Sequence, residues 1–249
     1  MYNKFGRINQ MINVLRERNG ASIRDLAQEF MVSEMTIRRD LERLRQDNII
    51  SLVHGAAIYK SYNLDLEKGV NISEKERIGK AAAKRIQMDD TIIIDIGTTT
   101  EHLARHIPQN FSISVLCFTM NSLVEIHKKT IKSFIIGGGS FHPDTQLFES
   151  PETIELIRRT RATKFFVSTA GINRKLELTT VNFYEVGVKQ TCIQHADQKF
   201  LLADSTKFDK VKPAYFAHLN DINVVITDNG IREEWIHILE DMGIEVEIV

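Results

Sequence analysis

Apolar residues recur at helical spacing through the N-terminal segment. Ile8, Met11, Ile12 and Leu15 predict a first amphipathic helix that ends before Asn19-Gly20. Ser22 stands three residues before Asp25 and predicts an N-cap for a short second helix, with Ile23, Leu26, Ala27 and Phe30 on one face. Met31-Val32-Ser33 is a tight connection, and Ser33 is placed to cap a third helix that buries Ile37, Leu41 and Leu44. Thr36, Arg38, Arg39, Glu42, Arg43 and Arg45 are left for its other faces. Residues 49–59 read as two short strands about His54-Gly55, a β-wing. Short helices around a tight turn, followed by a hairpin, predict a winged helix-turn-helix over residues 1–58.

Residues 59–72 are polar without strong periodicity and read as a linker. Ser73 and Glu76 predict a capping box for a helix running through Gln87. Strand-like apolar runs follow near 91–96, 113–118, 133–137, 164–169, 199–203, 222–227 and 244–248. Helical patterns lie between them near 99–107, 121–129, 151–160, 182–196 and 231–242. Strands alternating with helices predict an α/β domain with a largely parallel sheet over residues 73–249.

Composition adds modest detail. The 249 residues are 43% apolar and 26% charged, ordinary for a globular protein, with a net charge of −1. Residues 1–60 carry ten Lys/Arg against seven Asp/Glu, net +3, and the remainder carries 22 against 26, net −4. A basic small part joined to a mildly acidic larger one fits a nucleic-acid reader attached to something else. Cys117 and Cys192 form no CxxC pair and read as buried thiols of a reducing cytoplasm. No signal-peptide core and no apolar run near the ~20 residues of a membrane span is present, so a cytoplasmic protein without a membrane partner is expected.

The third helix is the candidate DNA reader. Arg38 and Arg39 are suited to guanine acceptors or phosphate, with Ser33, Glu34, Met35 and Thr36 at its leading end near the bases. Arg43 and the wing's His54 complete the candidate DNA contacts.

A second candidate site is Asp95-Ile96-Gly97-Thr98-Thr99-Thr100, where a strand runs into a glycine, three hydroxyls and a helix. Ligands in open α/β sheets gather beyond the carboxyl ends of strands, and a helix N-terminus there favours an anion. A phosphate-bearing small molecule is the expected ligand; the alternative is that the threonines only cap a helix. Without a Gly-Lys-Ser/Thr signature, a P-loop nucleotide site is not expected. Gly137-Gly138-Gly139-Ser140 also follows a strand, and its amides either face the same crevice or serve only a tight turn. Lys189 lies one helical turn after Glu185, as a site residue or as half of a surface ion pair. Asp204-Ser205-Thr206-Lys207 follows another strand, where Lys207 can neutralise phosphate and Asp204 can accept from a sugar hydroxyl. His102 and His106 are four apart without a third ligand, so they read as solvated histidines; no metal and no cofactor is expected. No Gly-x-Ser-x-Gly nucleophile elbow is present.

Val32-Ser33-Glu34-Met35-Thr36-Ile37-Arg38-Arg39-Asp40-Leu41, followed by Val53-His54-Gly55-Ala56, resembles the N-terminal domain of the DeoR family of bacterial transcription regulators. Asp95 to Thr100, glycines 137–139, residues 204–208 and Thr227-Asp228 resemble the same family's sensor domain. Residues 117–122, 138–142 and 147–149 lean toward its deoxyribonucleoside operon repressor branch. The chain departs from the family pattern at Ser51, where the wing usually has arginine, at Ala56, often a second glycine, and at Glu177, usually glycine.

The resemblance implies a sensor similar in fold to ribose-5-phosphate isomerase, binding a phosphorylated sugar such as deoxyribose 5-phosphate. By matching motif, Asp95, Gly97, Thr98, Thr99 and Thr100 would hold it, with Gly138, Gly139, Lys189 and Lys207 nearby. The expectation is a non-enzymatic regulator, a repressor by resemblance, acting on double-stranded operator DNA as a homo-oligomer, dimer or higher. The rival is a sugar-phosphate isomerase-like enzyme using Glu185, Asp204 and Lys207 as acid and base. A further alternative is a nonspecific nucleoid-type DNA binder.

Overall fold

The computed structural model describes Arg7, Ile8, Gln10, Met11, Val14, Leu15, Arg18, and residues 20–46, 50–53, 55–59 and 70–249. The chain divides into two compact units, residues 1–63 and 64–249.

In the first unit, Arg7, Ile8, Gln10, Met11, Val14 and Leu15 are helical, in keeping with the expected first helix; Ile12 lies outside the described residues. Helix α1 (Ile23–Glu29) is capped by Ser22, whose Oγ accepts the Asp25 N–H at 3.0 Å as the spacing predicts. Met31 then takes a left-handed conformation (φ 51°), which turns the chain into α2 (Glu34–Gln46). Strands β1 (Ala21–Ser22), β2 (Ile50–Val53) and β3 (Ala56–Tyr59) form an antiparallel sheet in the order β1-β3-β2. Ile37, Leu41 and Leu44 face Met11, Leu15, Ile23, Leu26, Ile50 and Ala57 in one core. Burying a side chain of leucine size contributes about 1.5–3 kcal/mol, so this face holds α2 against the rest. The buried Asp40 accepts two bonds from Arg7, at 2.9 and 2.6 Å, and ties α2 to the first helix.

The second unit opens with α3 (Ile72–Lys84), which starts two residues earlier and ends three residues sooner than its sequence pattern predicts. The expected Ser73–Glu76 capping box does not form. The N-cap is Asn71, in a left-handed conformation (φ 51°) with no side-chain cap, while Ser73 bonds Glu74 inside the first turn. Glu76 is drawn instead to two histidines of the neighbouring helix.

Strands β4 (Thr91–Ile94), β5 (Asn110–Cys117), β6 (Thr130–Ile136), β9 (Ala162–Ser168), β12 (Ala196–Leu202), β14 (Val224–Thr227) and β15 (Glu245–Ile248) make a seven-stranded sheet. Its order is β15-β14-β12-β9-β4-β5-β6, and every neighbouring pair is parallel. The apolar runs in the sequence fall on these strands because a parallel sheet is covered on both faces. Ile93, Leu116, Phe165, Leu201 and Val225 enter one core cluster, with Val188, Cys192, Trp235 and Leu239. Their neighbours Ile92, Ile94, Val115, Phe166, Phe200 and Ile226 enter the other, with Ile78, Ala82, Leu103 and Ala104. The covering helices are α3, α4 (Thr98–His106), α5 (Met120–Ile126), α6 (Pro151–Arg159), α7 (Val186–His195) and α8 (Glu233–Asp241).

The chain runs β4 to β5 to β6 outward, then returns to place β9 on the other side of β4. That reversal makes β4/β9 the topological switch point, where the carboxyl ends of an open sheet leave a crevice.

In the second unit two sheets have no counterpart in the predicted elements, as β1 has none in the first. A hairpin joins β7 (Ser140–His142) to β8 (Leu147–Glu149), and an antiparallel sheet orders β10 (Gly171–Ile172), β11 (Glu177–Thr180) and β13 (Ala214–His218). These strands are too short to establish an alternating pattern. Among the described residues, no helix is long and apolar enough to cross a membrane.

Candidate functional site

The leading end of α2 is built by Ser33. Its Oγ accepts the Thr36 N–H at 3.2 Å and lies 3.0 Å from the Thr36 hydroxyl, so both side chains shape the helix start. Beyond them Glu34, Met35, Arg38, Arg39 and Arg43 are exposed, opposite the buried face of Ile37, Leu41 and Leu44. Glu34 and Arg38 are only 4.0 Å apart across one turn, a contact of little energetic weight at an exposed position. Met35 is 76% exposed and Met31, in the preceding turn, 88%. Met31 was not among the sequence candidates; its position in a turn, outside any periodic face, gave no signal. His54 lies outside the described residues.

In the second unit the switch point brings three loops together. Asp95 leaves β4 with its side chain fully buried, and Oδ2 accepts the Ser168 N–H at 2.9 Å and the Lys189 ammonium at 2.5 Å. Lys189 also donates to the Ser168 carbonyl at 3.1 Å and sits 5.0 Å over the Phe216 ring. The alternative of a surface Glu185–Lys189 pair is therefore wrong: α7 sends Lys189 inward to a carboxylate 94 residues earlier in the chain. Glu185 is buried as well, and burial raises its carboxyl above its ordinary value. Thr180 and Asn182 occupy its two oxygens.

Gly97 turns the chain from β4 into α4 with φ 152°, and a Cβ there would meet Ser168 Oγ at 2.5 Å. Only glycine fits this approach. Thr100 is buried and donates to the carbonyls of Asp95 and Gly97, at 2.8 and 2.9 Å. Its hydroxyl is thus committed to the loop. Gly97 gives α4 no side-chain cap, and among the described residues the Thr98 and Thr99 hydroxyls have no hydrogen-bond partner. A helix N-terminus with open amides and two free hydroxyls is suited to a phosphate.

The glycine run divides. Gly139 has φ 134°, and a Cβ there would lie 2.2 Å from the Glu149 carbonyl oxygen, so this residue closes the β7–β8 hairpin. Gly138 is exposed with open space about its Cβ position, and its carbonyl accepts from Ser150 and Thr153.

Asp204, beyond β12, caps the 3-10 turn Ser205–Lys207 through the Thr206 N–H at 3.1 Å. Lys207 is half-buried in that turn. Asp228, beyond β14, holds the same turn from below. Burial works against its charge, yet bonds from the Ser205 and Gly230 N–H groups and the Ser205 hydroxyl outweigh it and lower its pKa.

Among the described residues, Asp95 Oδ1, Asp204 Oδ2 and Thr227 Oγ1 are buried without a hydrogen-bond partner, all at this carboxyl end. Buried polar atoms are rarely left so, and these three are free to meet a further group at this end of the sheet.

His102 is buried and His106 only partly exposed, so neither is a freely solvated histidine. Both face Glu76, at 2.5 and 2.7 Å, and fasten α4 to α3. Cys117 and Cys192 are buried free thiols as expected, and burial pushes Cys117 up to about 12. No cluster able to hold a metal occurs among the described residues.

A family model described as the DeoR C terminal sensor domain matches residues 70–229, and one described as a DeoR-like helix-turn-helix domain matches residues 7–62. The chain is 29% identical to the lactose phosphotransferase system repressor of Staphylococcus epidermidis, over 93% of this chain and 95% of the relative. It is 27% identical to the deoxyribose operon repressor of Escherichia coli, over 96% of each. Identity therefore does not single out the deoxyribose branch. Ribose 5-phosphate isomerase A from Methanocaldococcus jannaschii aligns over 55% of each chain, at 11% identity and a TM-score of 0.40.

Proposed function

The chain belongs to the DeoR family of transcriptional regulators, and on that premise we propose that its DNA affinity is set by a phosphorylated sugar held at the carboxyl end of the sheet. It is a DNA-binding repressor of a sugar or nucleoside catabolic operon, working on chromosomal DNA in the cytoplasm. The observation that carries the effector reading is the N-terminus of α4 at the β4/β9 switch point, which has no side-chain cap and where the Thr98 and Thr99 hydroxyls have no partner among the described residues.

Phosphate binds the α4 amides with Thr98 and Thr99, beside Gly97, and Lys207 adds positive charge from the neighbouring turn. Gly138 leaves room at the rim. Asp95, Lys189 and Thr100 form the floor that holds these groups in place, Gly139 shapes the hairpin beside Gly138, and Asp204 receives a sugar hydroxyl. Deoxyribose 5-phosphate is the leading candidate by family resemblance.

Arg38 and Arg39 contact phosphate or guanine, Arg43 contacts phosphate, and Ser33, Glu34, Met35 and Thr36 lie against base edges. His54 in the wing completes the contact set. Met31 and Met35 offer apolar surface to thymine methyl groups. One such module covers few base pairs, so operator specificity calls for a homo-oligomer, at least a dimer, on repeated half-sites.

The enzyme alternative is disfavoured by the same geometry. Of the acid and base groups that it names, Glu185 has its oxygens occupied by Thr180 and Asn182, and Asp204 is wholly buried with Oδ1 committed to Asn71 and Thr206. A proton-transferring acid or base needs to reach substrate. A thermal-shift screen of phosphorylated pentoses and hexoses tests the effector reading, because ligand binding to the native state raises its apparent stability. At least one sugar phosphate is expected to raise Tm. No stabilisation by any of them contradicts the assignment.

A further inference from the structure

We infer that Asn71 is a positioning residue that reports occupancy of the effector crevice to the helix next to the linker. The inference rests on the effector-site reading above. Asn71 is the N-cap of α3, and residues 60–69 immediately before it lead in sequence to the DNA-binding unit. Its side chain does not cap its own helix. Nδ2 donates instead to Asp204 Oδ1 at 3.0 Å and to Thr206 Oγ1 at 3.3 Å, across 133 and 135 residues of chain.

Asp204 is the shared part. Its Oδ1 takes Asn71 together with the Thr206 N–H and hydroxyl, while Oδ2 is buried and takes nothing. The residue is wholly buried at the carboxyl end of β12. β12 and β4, which Asp95 directly follows, flank β9 on either side. A ligand hydroxyl that donates to Oδ2 satisfies the bare oxygen and fixes the carboxylate in the pose that Asn71 grips. Ligand and Asn71 then favour the same position of Asp204, so each strengthens the other.

The backbone supports a specific role for the amide. Asn71 has φ 51°, a region glycine adopts at least as readily. Were only a turn needed there, glycine would serve as well as asparagine.

The test uses hydrogen exchange on the full chain as wild type, Asn71→Gly and Asn71→Ala. Without ligand, amides in the first turn of α3, including Lys75 N–H bonded to the Asn71 carbonyl, are expected to exchange roughly three- to ten-fold faster in both variants. Exchange in Asn71→Gly equal to wild type overturns the inference, since the position then serves only the turn. With ribose 5-phosphate and deoxyribose 5-phosphate as probes, wild type is expected to gain protection at both residues 95–100 and 71–76. Asn71→Gly is expected to gain it at 95–100 alone. Protection at 95–100 without any at 71–76 in wild type overturns the Asn71 coupling but keeps the effector site. Protection at neither segment overturns the site reading and the coupling with it.

Discussion

Lys189 holds its ammonium 2.5 Å from Asp95 Oδ2, and neither side chain is more than 1% exposed. The pair joins α7 to the end of β4 at the switch point, directly under the loop that starts α4. A buried ion pair gains little over an apolar pair, but breaking it leaves one charge uncompensated. Lys189→Met is therefore expected to destabilise the second unit by about 3–5 kcal/mol. The double variant Asp95→Leu, Lys189→Met is expected to recover part of that loss. Urea unfolding checks both; a double variant less stable than Lys189→Met contradicts the pairing.

Glu185 gives this region a pH dependence. Burial raises its folded pKa, so below the ordinary glutamate range it is neutral in both the folded and unfolded chain. As pH rises through that range the unfolded chain ionises while the folded one resists. Its contribution to stability is present at low pH and is lost as pH climbs toward the raised folded value. Glu185→Gln removes this titration. The Tm of Glu185→Gln minus that of wild type is expected to grow as pH rises from about 4 to 7. A difference that does not change with pH contradicts an ionisation cost at this residue.

Arg38 and Arg39 extend from an exposed face of α2 whose opposite face is buried. Replacing either by alanine is expected to weaken operator binding and leave effector affinity unchanged. A lost bidentate guanine contact costs about 1–3 kcal/mol, and each lost phosphate contact lowers the salt dependence by about 0.9. Fluorescence anisotropy at several salt concentrations separates the two roles. Unchanged affinity in both variants rules out the assigned groove contact.

Among the described residues the Thr99 hydroxyl has no hydrogen-bond partner, unlike that of Thr100. Thr99→Val therefore removes a donor for ligand without breaking an internal bond. Effector affinity is expected to fall about 2- to 12-fold, the range of one hydrogen bond, with operator binding unaffected. Calorimetric titration giving an unchanged Kd moves the phosphate elsewhere.

Thr98, Thr99 and Thr100 also mark how far sequence alone reaches. The strand, glycine and hydroxyl pattern located the loop, but nothing in the three identical residues distinguishes a hydroxyl turned to its own backbone from two left open. Period and length point to every strand of the parallel sheet: the central ones are buried on both faces and read as apolar runs, while the edge strands β6 and β15 are only partly covered. The sheet of β10, β11 and β13 escaped because Gly171–Ile172 spans two residues and Glu177–Thr180 is half polar. Ser73 and Glu76 have capping-box spacing, yet Glu76 in space serves His102 and His106 of α4, so Ser73 does not cap. Lys189 reaching Asp95 and Asn71 reaching Asp204 are long-range pairings that local spacing does not encode.

Coupling between the crevice and the recognition helix is most directly measured on an operator selected with the full chain from a random DNA pool. Its affinity would be determined by anisotropy at fixed salt, with and without each sugar phosphate that raises Tm. A change of about 5- to 150-fold is expected with the effector, and Thr99→Val should shift the response to higher effector concentration. An operator affinity that no bound sugar phosphate alters would contradict control of DNA binding from this crevice.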